Sequence, residues 1–411
     1  MQATRHHWLS FGVILLVLLL GSRHEILAQS LLSSESLTPE EARSLAAKYH
    51  SHKSFLALSQ LKTLDPAVAR ELAVTNGELS FSALPTLSVE AARELASHKG
   101  MLKLDALVEL PPETANALVK HGGALSLKTA QLNDETLLVL SKYPGLLVLG
   151  LITVSEEQAR ILAEHKGRLQ LPSLQALGNH RIEEILSQHR GDLRMDNLAS
   201  VTSAALAAKL AAPDGHLSLR LLSAVPNECL EELARHKGTL DIGLTELTPA
   251  QARILIQHPG ALWLNRIRAL TDECSSILQM HPDDLMLSSL QTLEDPKLAA
   301  KLASGKPAFL SLNGLITLNP DVARILVAAN CPLLLKKLTS VSPELATEFA
   351  VHKAPLDLAG VTTITPDVAQ ILTRHEKRLV LTGLTDVSPE VLAILQKNKA
   401  IQLPRRENSP Q

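Results

Sequence analysis

Aromatic residues, cysteines and net charge are all scarce in this chain. Of its 411 residues, 2% are aromatic and 3 are cysteine, and the formal net charge at pH 7 is -2. A near-neutral chain lacks the basic surface that attracts nucleic acid or an anionic membrane, so we expect neither as a partner. So few aromatic side chains also provide no stacking platforms for bases or sugars. Leucine must therefore do most of the packing.

The short motifs of common enzymes are missing too. The sequence contains no H-E-x-x-H, no G-x-S-x-G, no glycine-rich phosphate loop and no EF-hand loop. Many acidic residues instead fall in the first turns of predicted helices, where the helix dipole favours them: Glu40, Glu90, Glu113, Glu157, Glu344 and Glu390. We therefore expect no enzymatic activity, no catalytic residue, no metal site and no cofactor.

A Leu-x-Leu pair repeats along almost the whole chain, with a period of about 23 residues. The first residues of its copies are Leu56, Leu79, Leu102, Leu125, Leu147, Leu169, Leu193, Leu217, Leu240, Leu262, Leu285, Leu310, Leu333, Leu356, Leu379 and Ile401. A period of this length is typical of a solenoid, in which each unit buries its apolar face only against its neighbours.

The unit that starts at Leu79 shows the expected local structure. Leu79 and Phe81 are two residues apart and lie on one face of a short strand, because side chains alternate along a strand. A helix then begins after Ser88 and turns Ala92 and Leu95 inward. The matching corner in other units is a capping side chain followed by proline at the first helical position: Asp65-Pro66, Thr248-Pro249, Asn319-Pro320, Ser342-Pro343, Thr365-Pro366 and Ser388-Pro389.

Glycine recurs two residues before the strand, at positions 77, 100, 123, 145, 167, 191, 215, 238 and 260. The pattern predicts a helix C-cap in the left-handed conformation, which glycine adopts without a steric cost.

These repeats resemble those of bacterial leucine-rich-repeat-like proteins of the exported type. The resemblance covers about residues 37 to 403 and rests on the pattern Leu-x-Leu-x-x-Leu-x-x-Leu-Ser-Pro-Glu-x-Ala-x-x-Leu-Ala-x-His-Lys-Gly. It departs from the standard repeat because apolar residues replace the buried asparagine ladder five residues after the first strand leucine, as at Leu84, Ile152 and Ile267. The turn must therefore satisfy its backbone groups in another way.

The expected fold is an α/β solenoid of about 15 strand-turn-helix coils, with one parallel sheet and an outer layer of short helices. We assign residues 29–403 to a single repeat domain and, within it, residues 37–53 to a capping helix one turn longer than the others. Proline at 404 should end the last strand, and residues 404–411 should form a disordered tail.

Residues 1–28 have the features of a secretory signal peptide. Arg5 lies in a weakly basic start, residues 11–20 form an apolar run too short to span a bilayer, and Ala28 ends a plausible cleavage site. We therefore expect an exported protein, in the periplasm, on the cell surface or secreted, without membrane insertion after cleavage.

Cysteine and histidine could point to covalent or metal chemistry. Cys229 and Cys274 hold the same place in units that are two apart. With neighbouring helices about 8–10 Å apart, the two residues are about 20 Å from one another. This distance is too long for a disulfide. We expect both, and Cys331, to be small buried residues.

Histidine recurs four residues before the strand, at 52, 98, 121, 165, 189, 236, 258, 281, 352 and 375. These rings could form a metal-binding or pH-sensing ladder. The alternative that we favour is that each ring bonds terminal helix carbonyls and complements the dipole.

The candidate binding site lies on the open face of the sheet, formed by the middle residues of the Leu-x-Leu pairs. Most of these are small or polar, but Trp263 and Met286 are neighbours, and Asn265, Arg266 and Arg220 lie near them in the expected fold. Tryptophan and arginine are enriched in binding hot spots. We expect a non-catalytic scaffold that binds a protein or cell-envelope component here. The alternative is a structural envelope or extracellular-matrix component without a discrete ligand.

Overall fold

The computed structural model describes residues 31–50, 55–129, 132–305, 308–385 and 387–404. The expected signal peptide and the tail from residue 405 lie outside these ranges. The chain divides into two compact units, residues 1–195 and 196–411.

Strands of 2 to 4 residues alternate with helices of 7 to 10 residues throughout the described part of the chain. The strands are β1 Phe55–Leu58, β2 Glu78–Phe81, β3 Met101–Lys103, β4 Ala124–Leu127, β5 Leu147–Leu149, β6 Leu169–Gln170, β7 Leu193–Arg194, β8 His216–Leu219, β9 Thr239–Ile242, β10 Leu262–Trp263, β11 Leu285–Met286, β12 Leu310–Ser311, β13 Leu333–Leu334, β14 Leu356–Asp357, β15 Leu379–Val380 and β16 Ile401–Gln402.

One helix precedes each strand. From Pro39 onward the helices are α1 Pro39–Lys48, α2 Pro66–Leu72, α3 Val89–Leu95, α4 Pro112–Leu118, α5 Asp134–Leu140, α6 Glu156–Ala163, α7 His180–Ser187, α8 Ala204–Ala211, α9 Asn227–Ala234, α10 Pro249–Leu255, α11 Asp272–Leu278, α12 Pro296–Ser304, α13 Pro320–Val327, α14 Pro343–Ala350, α15 Pro366–Leu372 and α16 Pro389–Leu395.

All strand pairing is parallel and follows chain order. In the first unit β1 to β7 form one seven-stranded sheet; in the second, β8 to β11 and β12 to β16 form two separate sheets. The first leucine of each paired strand lies beside its counterpart, as Leu262 beside Leu285. The expected α/β solenoid is confirmed, but the single sheet is wrong: β11 and β12 do not pair. The interval from Leu285 to Leu310 is also the longest between successive strand leucines.

The helix starts follow their capping residues. The Asp65 carboxylate accepts a hydrogen bond from the Ala67 amide at 2.8 Å, and the Thr248 hydroxyl caps α10 in a reciprocal box with Gln251. The alanines and leucines predicted to point inward, such as Ala92 and Leu95, have no exposed surface. Among the helices bounded above, α1 is the longest, but it ends at Lys48 rather than near residue 53; residues 51–54 lie outside the described ranges.

The recurring glycines are needed for close approach between coils, and the left-handed cap was a wrong prediction for most of them. Among the described glycines only Gly178 and Gly215 have positive φ, and the residues that cap the helices are mostly right-handed. A Cβ atom added to Gly100 would lie 1.7 Å from the carbonyl oxygen of Gly77, and one added to Gly123 would lie 1.9 Å from that of Gly100. The same contact with the glycine carbonyl of the preceding coil recurs at Gly145, Gly167, Gly191, Gly238 and Gly260, whereas a Cβ at Gly215 would meet nothing within 4 Å.

The turns satisfy their backbone without an asparagine ladder. The Ile267 amide donates to the Leu264 carbonyl at 3.2 Å within its own turn, and the Val108 amide donates to the Pro85 carbonyl of the preceding coil at 2.9 Å. The apolar residue of the turn can then be buried, as Ile267 and Leu84 are. Ile152 is an exception to the prediction: it is exposed, and Leu151 takes the inward place in this shorter coil.

Candidate binding site on the strand face

Trp263 and Met286 lie side by side on β10 and β11. Their Cα atoms are register partners in the parallel ladder, and both side chains are half-buried at outward positions of their strands. Asp241 on β9 is the register partner of Trp263 on the other side. The structure thus brings together the two apolar residues that the sequence singled out.

Arg220 follows β8 and pairs with the carboxylate of Asp241. Its Nε donates to Asp241 Oδ2 at 2.5 Å, and the aspartate side chain is 3% exposed whereas the arginine side chain is 65% exposed. A buried carboxylate is costly without a partner. Arg220 therefore neutralises the buried carboxylate of Asp241 while most of the arginine side chain stays exposed.

Arg266 and Asn265 lie in the turn that follows β10. Arg266 Nη1 donates to the Arg220 carbonyl oxygen at 3.2 Å, which places the two guanidinium-bearing side chains in one neighbourhood. The side-chain oxygen of Asn265 accepts from the Ser288 amide at 3.2 Å. Asn265 thus braces two successive turns. All five predicted residues therefore lie in one neighbourhood, but the side-chain oxygen of Asn265 is already used in a hydrogen bond within the protein.

His216 belongs to the same surface and was not predicted. Its ring centroid lies 5.1 Å from that of Trp263, with the planes tilted by 54°. His216 is the first residue of β8 and stands two positions before Ser218, so strand alternation alone could have placed it on the outward face. The indole therefore reaches across β9 to contact an imidazole two strands away.

A cavity of about 440 Å³ opens beside Trp263 and Met286. Leu285 and Leu310 lie on its two sides, and Phe309, with 48% of its surface exposed, stands at its edge. Its volume is in the range of ligand pockets. The pair that the sequence singled out thus borders a concave, largely apolar space.

The histidine row was the other candidate from the sequence, and its rings are buried. His98, His121, His165, His258 and His375 are each 0% to 1% exposed. The rings also stack between coils, as His98 and His121 do with centroids 5.7 Å apart and planes 2° from parallel.

The histidine rings bond to the preceding coil. His236 places Nδ1 2.9 Å from the Ala211 carbonyl oxygen and Nε2 2.8 Å from that of Gly215, and His375 Nδ1 donates to the Phe349 carbonyl at 3.0 Å. The prediction of terminal carbonyl partners was correct, but the carbonyls belong to the helix before. The rings therefore fasten successive coils together.

Burial also changes the titration of the row. Desolvation lowers the pKa of His98, His165 and His375 below the ordinary 6.5 and outweighs their backbone hydrogen bonds. These rings are therefore neutral at pH 7, and the expected attraction between a charged ring and the helix dipole does not apply to them. In the described residues, no group of three histidine, cysteine or acidic side chains lies close enough to hold a metal ion.

The three cysteines are buried thiols, as predicted. Cys274 Sγ donates to the Leu247 carbonyl at 3.2 Å. They act as small core residues.

No protein-family model matches the sequence, and no curated protein matches it. In the described residues, no helix is long and apolar enough to cross a membrane. Several solved structures are similar over most of the chain, and three of them are named here. A leucine-rich-repeat protein of Leptospira interrogans has 17% identity and a TM-score of 0.49, with 90% of this chain and 99% of that chain covered.

The second is an internalin (InlF) of Listeria monocytogenes, with 12% identity, a TM-score of 0.33 and 93% and 94% of the two chains covered. The third is Toll of Drosophila in its complex with Spätzle, with 14% identity, a TM-score of 0.43 and 84% and 52% covered. By its own succession of coils of roughly 23 residues, each a short parallel strand and a helix, this chain is a leucine-rich-repeat-like α/β solenoid.

Proposed function

We propose that the chain is an exported, non-catalytic scaffold that binds another protein or a cell-envelope component through the strand face around Trp263. The observation that carries the proposal is the cluster of Trp263, His216 and Met286 beside two arginines on one surface. Aromatic residues make up only 2% of the chain. The one tryptophan downstream of the expected signal peptide stands at an outward strand position.

The cluster has the physical character of a binding hot spot. Trp263 and Met286 offer apolar area, while Arg220 and Arg266 offer hydrogen-bond donors at its edge. The residues stand on paired strands and hydrogen-bonded turns, so little conformational entropy is lost on binding. The partner would cover the indole and accept hydrogen bonds from the guanidinium groups of the two arginines.

Export is a separate part of the proposal and has its own test. We expect the mature protein to begin at Gln29, after cleavage behind Ala28. Mass spectrometry of the N-terminal peptide from fractionated cells measures this directly. A cytoplasmic protein that retains residues 1–28 would contradict export but would leave the binding surface untouched.

A photo-crosslinking amino acid at position 286 tests the binding surface. We expect it to capture a discrete partner in native cells, whereas the same group at Leu138, which is 52% exposed on α5, should not. Recovery of one soluble protein favours a protein ligand. Crosslinks confined to sedimenting envelope fragments favour an envelope component, and no crosslink above the position-138 control contradicts the strand-face site.

Affinity and fluorescence then test Trp263 itself. Trp263→Ala should weaken binding of the crosslinked partner by about 2 kcal/mol or more, and Leu138→Ala should not change it. The half-buried indole should be quenched by acrylamide in the free protein and protected after the partner is added. If Trp263→Ala leaves the affinity unchanged, the cluster is not the centre of the site.

A further inference from the structure

The β-ladder of the second unit is interrupted between β11 and β12. On one side the Leu262 amide donates to the Asp284 carbonyl at 2.8 Å, and on the other the Leu310 amide donates to the Pro332 carbonyl at 2.7 Å. In the described residues no such bond joins β11 to β12, so the amides of Leu285 and Leu287 lack ladder acceptors.

The two coils remain joined beyond the strands. The Gly314 amide donates to the Ser288 carbonyl at 2.8 Å, and the Ile316 amide donates to the Gln291 carbonyl at 3.1 Å. The coils therefore separate on the helix-to-strand side only. The result is a cleft between two strand edges, closed at the turns.

The cleft is the apolar cavity of about 440 Å³ beside Met286. Leu287, Leu302 and Leu312 lie in its wall and are almost fully buried. An unpaired amide next to such residues is unfavourable, and a new hydrogen bond to it would be stabilising. An exposed strand edge is also a template for the backbone of another extended chain.

Charge on the cleft wall adds a preference. Lys301 on α12 lines the cleft, is half-buried, and forms no ion pair among the described residues. Asp284 also lines the cleft but is exposed, so solvent and salt screen its charge more strongly. A carboxylate on the bound segment would thus find a complementary charge at Lys301.

We propose that the cleft between β11 and β12 binds an extended segment of a partner protein, with apolar residues at alternate positions and one acidic residue. The segment pairs its main chain with the free edge of β11, buries an apolar side chain against Leu287 and Leu302, and places its carboxylate beside Lys301. This inference rests on the proposed function, and it names the kind of segment that the partner presents next to Trp263.

Hydrogen exchange of the free, full-length protein tests the interruption without any ligand. Because Leu285 and Leu287 lack acceptors, we expect their amides to exchange at least tenfold faster than those of Leu262 and Leu264, which are paired. Equal protection of the two pairs of amides would show a continuous ladder in solution and would overturn the proposal.

A displayed library of random seven-residue peptides tests the occupant. Peptides selected on the full chain should alternate apolar and polar residues and contain an acidic residue. Ala308→Trp, which places a large ring at the cleft, should weaken their binding at least tenfold, as should Lys301→Glu. Lys297→Glu on the same helix lies outside the cleft and should stay within twofold. N-methylation of alternate peptide amides should also weaken binding at least tenfold. Peptides indifferent to Ala308→Trp or to N-methylation would overturn the proposal.

Matched variants separate this inference from the proposed function. Arg266→Ala changes the surface around Trp263 but not the cleft wall, whereas Ala308→Trp changes the cleft. If Arg266→Ala and Trp263→Ala weaken binding of the crosslinked partner but Ala308→Trp does not, the result supports the surface around Trp263 as the binding site and refutes the cleft. Peptide binding sensitive to Ala308→Trp, with partner binding insensitive to Trp263→Ala, supports the cleft and refutes the surface.

Discussion

Gly100→Ala should destabilise the chain strongly although it adds a single methyl group. The added Cβ would lie 1.7 Å from the Gly77 carbonyl oxygen and 2.7 Å from that of Asn76. Both obstacles are backbone atoms of the preceding coil, so no side chain can rotate away. The two coils must move apart by more than about 1 Å, since ordinary carbon–oxygen contacts are longer than about 3 Å.

The cost follows from what that movement disturbs. Inserting a methyl group into a packed site typically costs about 1–3 kcal/mol. Here the shift also strains the His121 ring, whose Nε2 lies 3.1 Å from the Gly100 carbonyl oxygen. A hydrogen bond of this kind contributes about 1 kcal/mol. We therefore expect a loss of about 2–4 kcal/mol for Gly100→Ala.

Gly122→Ala provides the matched control. A Cβ at Gly122 would meet nothing within 4 Å, and its φ is not in the left-handed region. This substitution should be neutral or should stabilise by up to about 1 kcal/mol, because it reduces the freedom of the unfolded chain. The two variants make the same chemical change in neighbouring coils, one blocked and one free.

Amide hydrogen exchange in α3, α4 and the adjoining strands is the appropriate measurement, because repeat proteins can unfold locally. Urea denaturation gives the global free energy beside it. If Gly100→Ala changes local protection no more than Gly122→Ala does, the contact between glycine and carbonyl does not limit coil spacing. Gly100→Asn discriminates further: a left-handed cap would tolerate asparagine, whereas a blocked Cβ would not.

Three further predictions concern the core and the histidine row. Leu95→Ala should cost about 2–5 kcal/mol by opening a cavity, measured by urea denaturation, while Leu138→Ala on the exposed side of α5 should cost less than about 1 kcal/mol. The free energy of unfolding should be steady above pH 7 and should fall as the pH drops below 6.5, because the unfolded chain binds protons that the buried histidine rings do not. A flat profile from pH 7 to 5 would contradict neutral rings. The rings whose pKa is lowered by burial are those of His98, His121, His165, His258, His281, His352 and His375. Chelation by EDTA should leave the melting temperature unchanged; a zinc-dependent rise abolished by His165→Gln with His189→Gln would restore the metal-ladder interpretation.

The coil itself could be predicted because three independent signals agree in most units. Strand leucines, capping residues such as Thr248, and inward residues such as Leu95 each specify one part of the coil, and they are found where expected. Single positions failed where a coil is one residue shorter than usual. Ile394 is half-buried and Leu395 is fully buried, because the residue missing from this coil falls between the helix and the strand, so the inward leucine lies six residues before Ile401.

The glycines and the histidines show a different limit. A glycine that adopts positive φ and a glycine that rests on a neighbouring backbone give the same sequence pattern, because both require the absence of Cβ. The partners of His236 are likewise carbonyls of the preceding coil, those of Ala211 and Gly215, and the sequence alone does not say which coil supplies them. The spacing in the sequence shows that a residue recurs in each coil, but it does not show whether that residue contacts its own coil or the neighbouring one.

Irregularity in the repeat explains where the candidate site lies. The coil from Leu285 to Leu310 is the longest in the chain, and the inward leucine of α12 is Leu302, eight residues before Leu310 instead of the usual seven. One of the two extra residues therefore lies between Leu285 and Leu302, which are 17 residues apart where Leu79 and Leu95 are 16 apart, and the other lies between Leu302 and Leu310. The turn bond from Gly314 to Ser288 holds the other end of the coil in place. β12 does not pair with β11, and the gap between the two strands borders Trp263 and Met286. The longest coil therefore coincides with the opening beside the cluster of Trp263, Met286 and the two arginines.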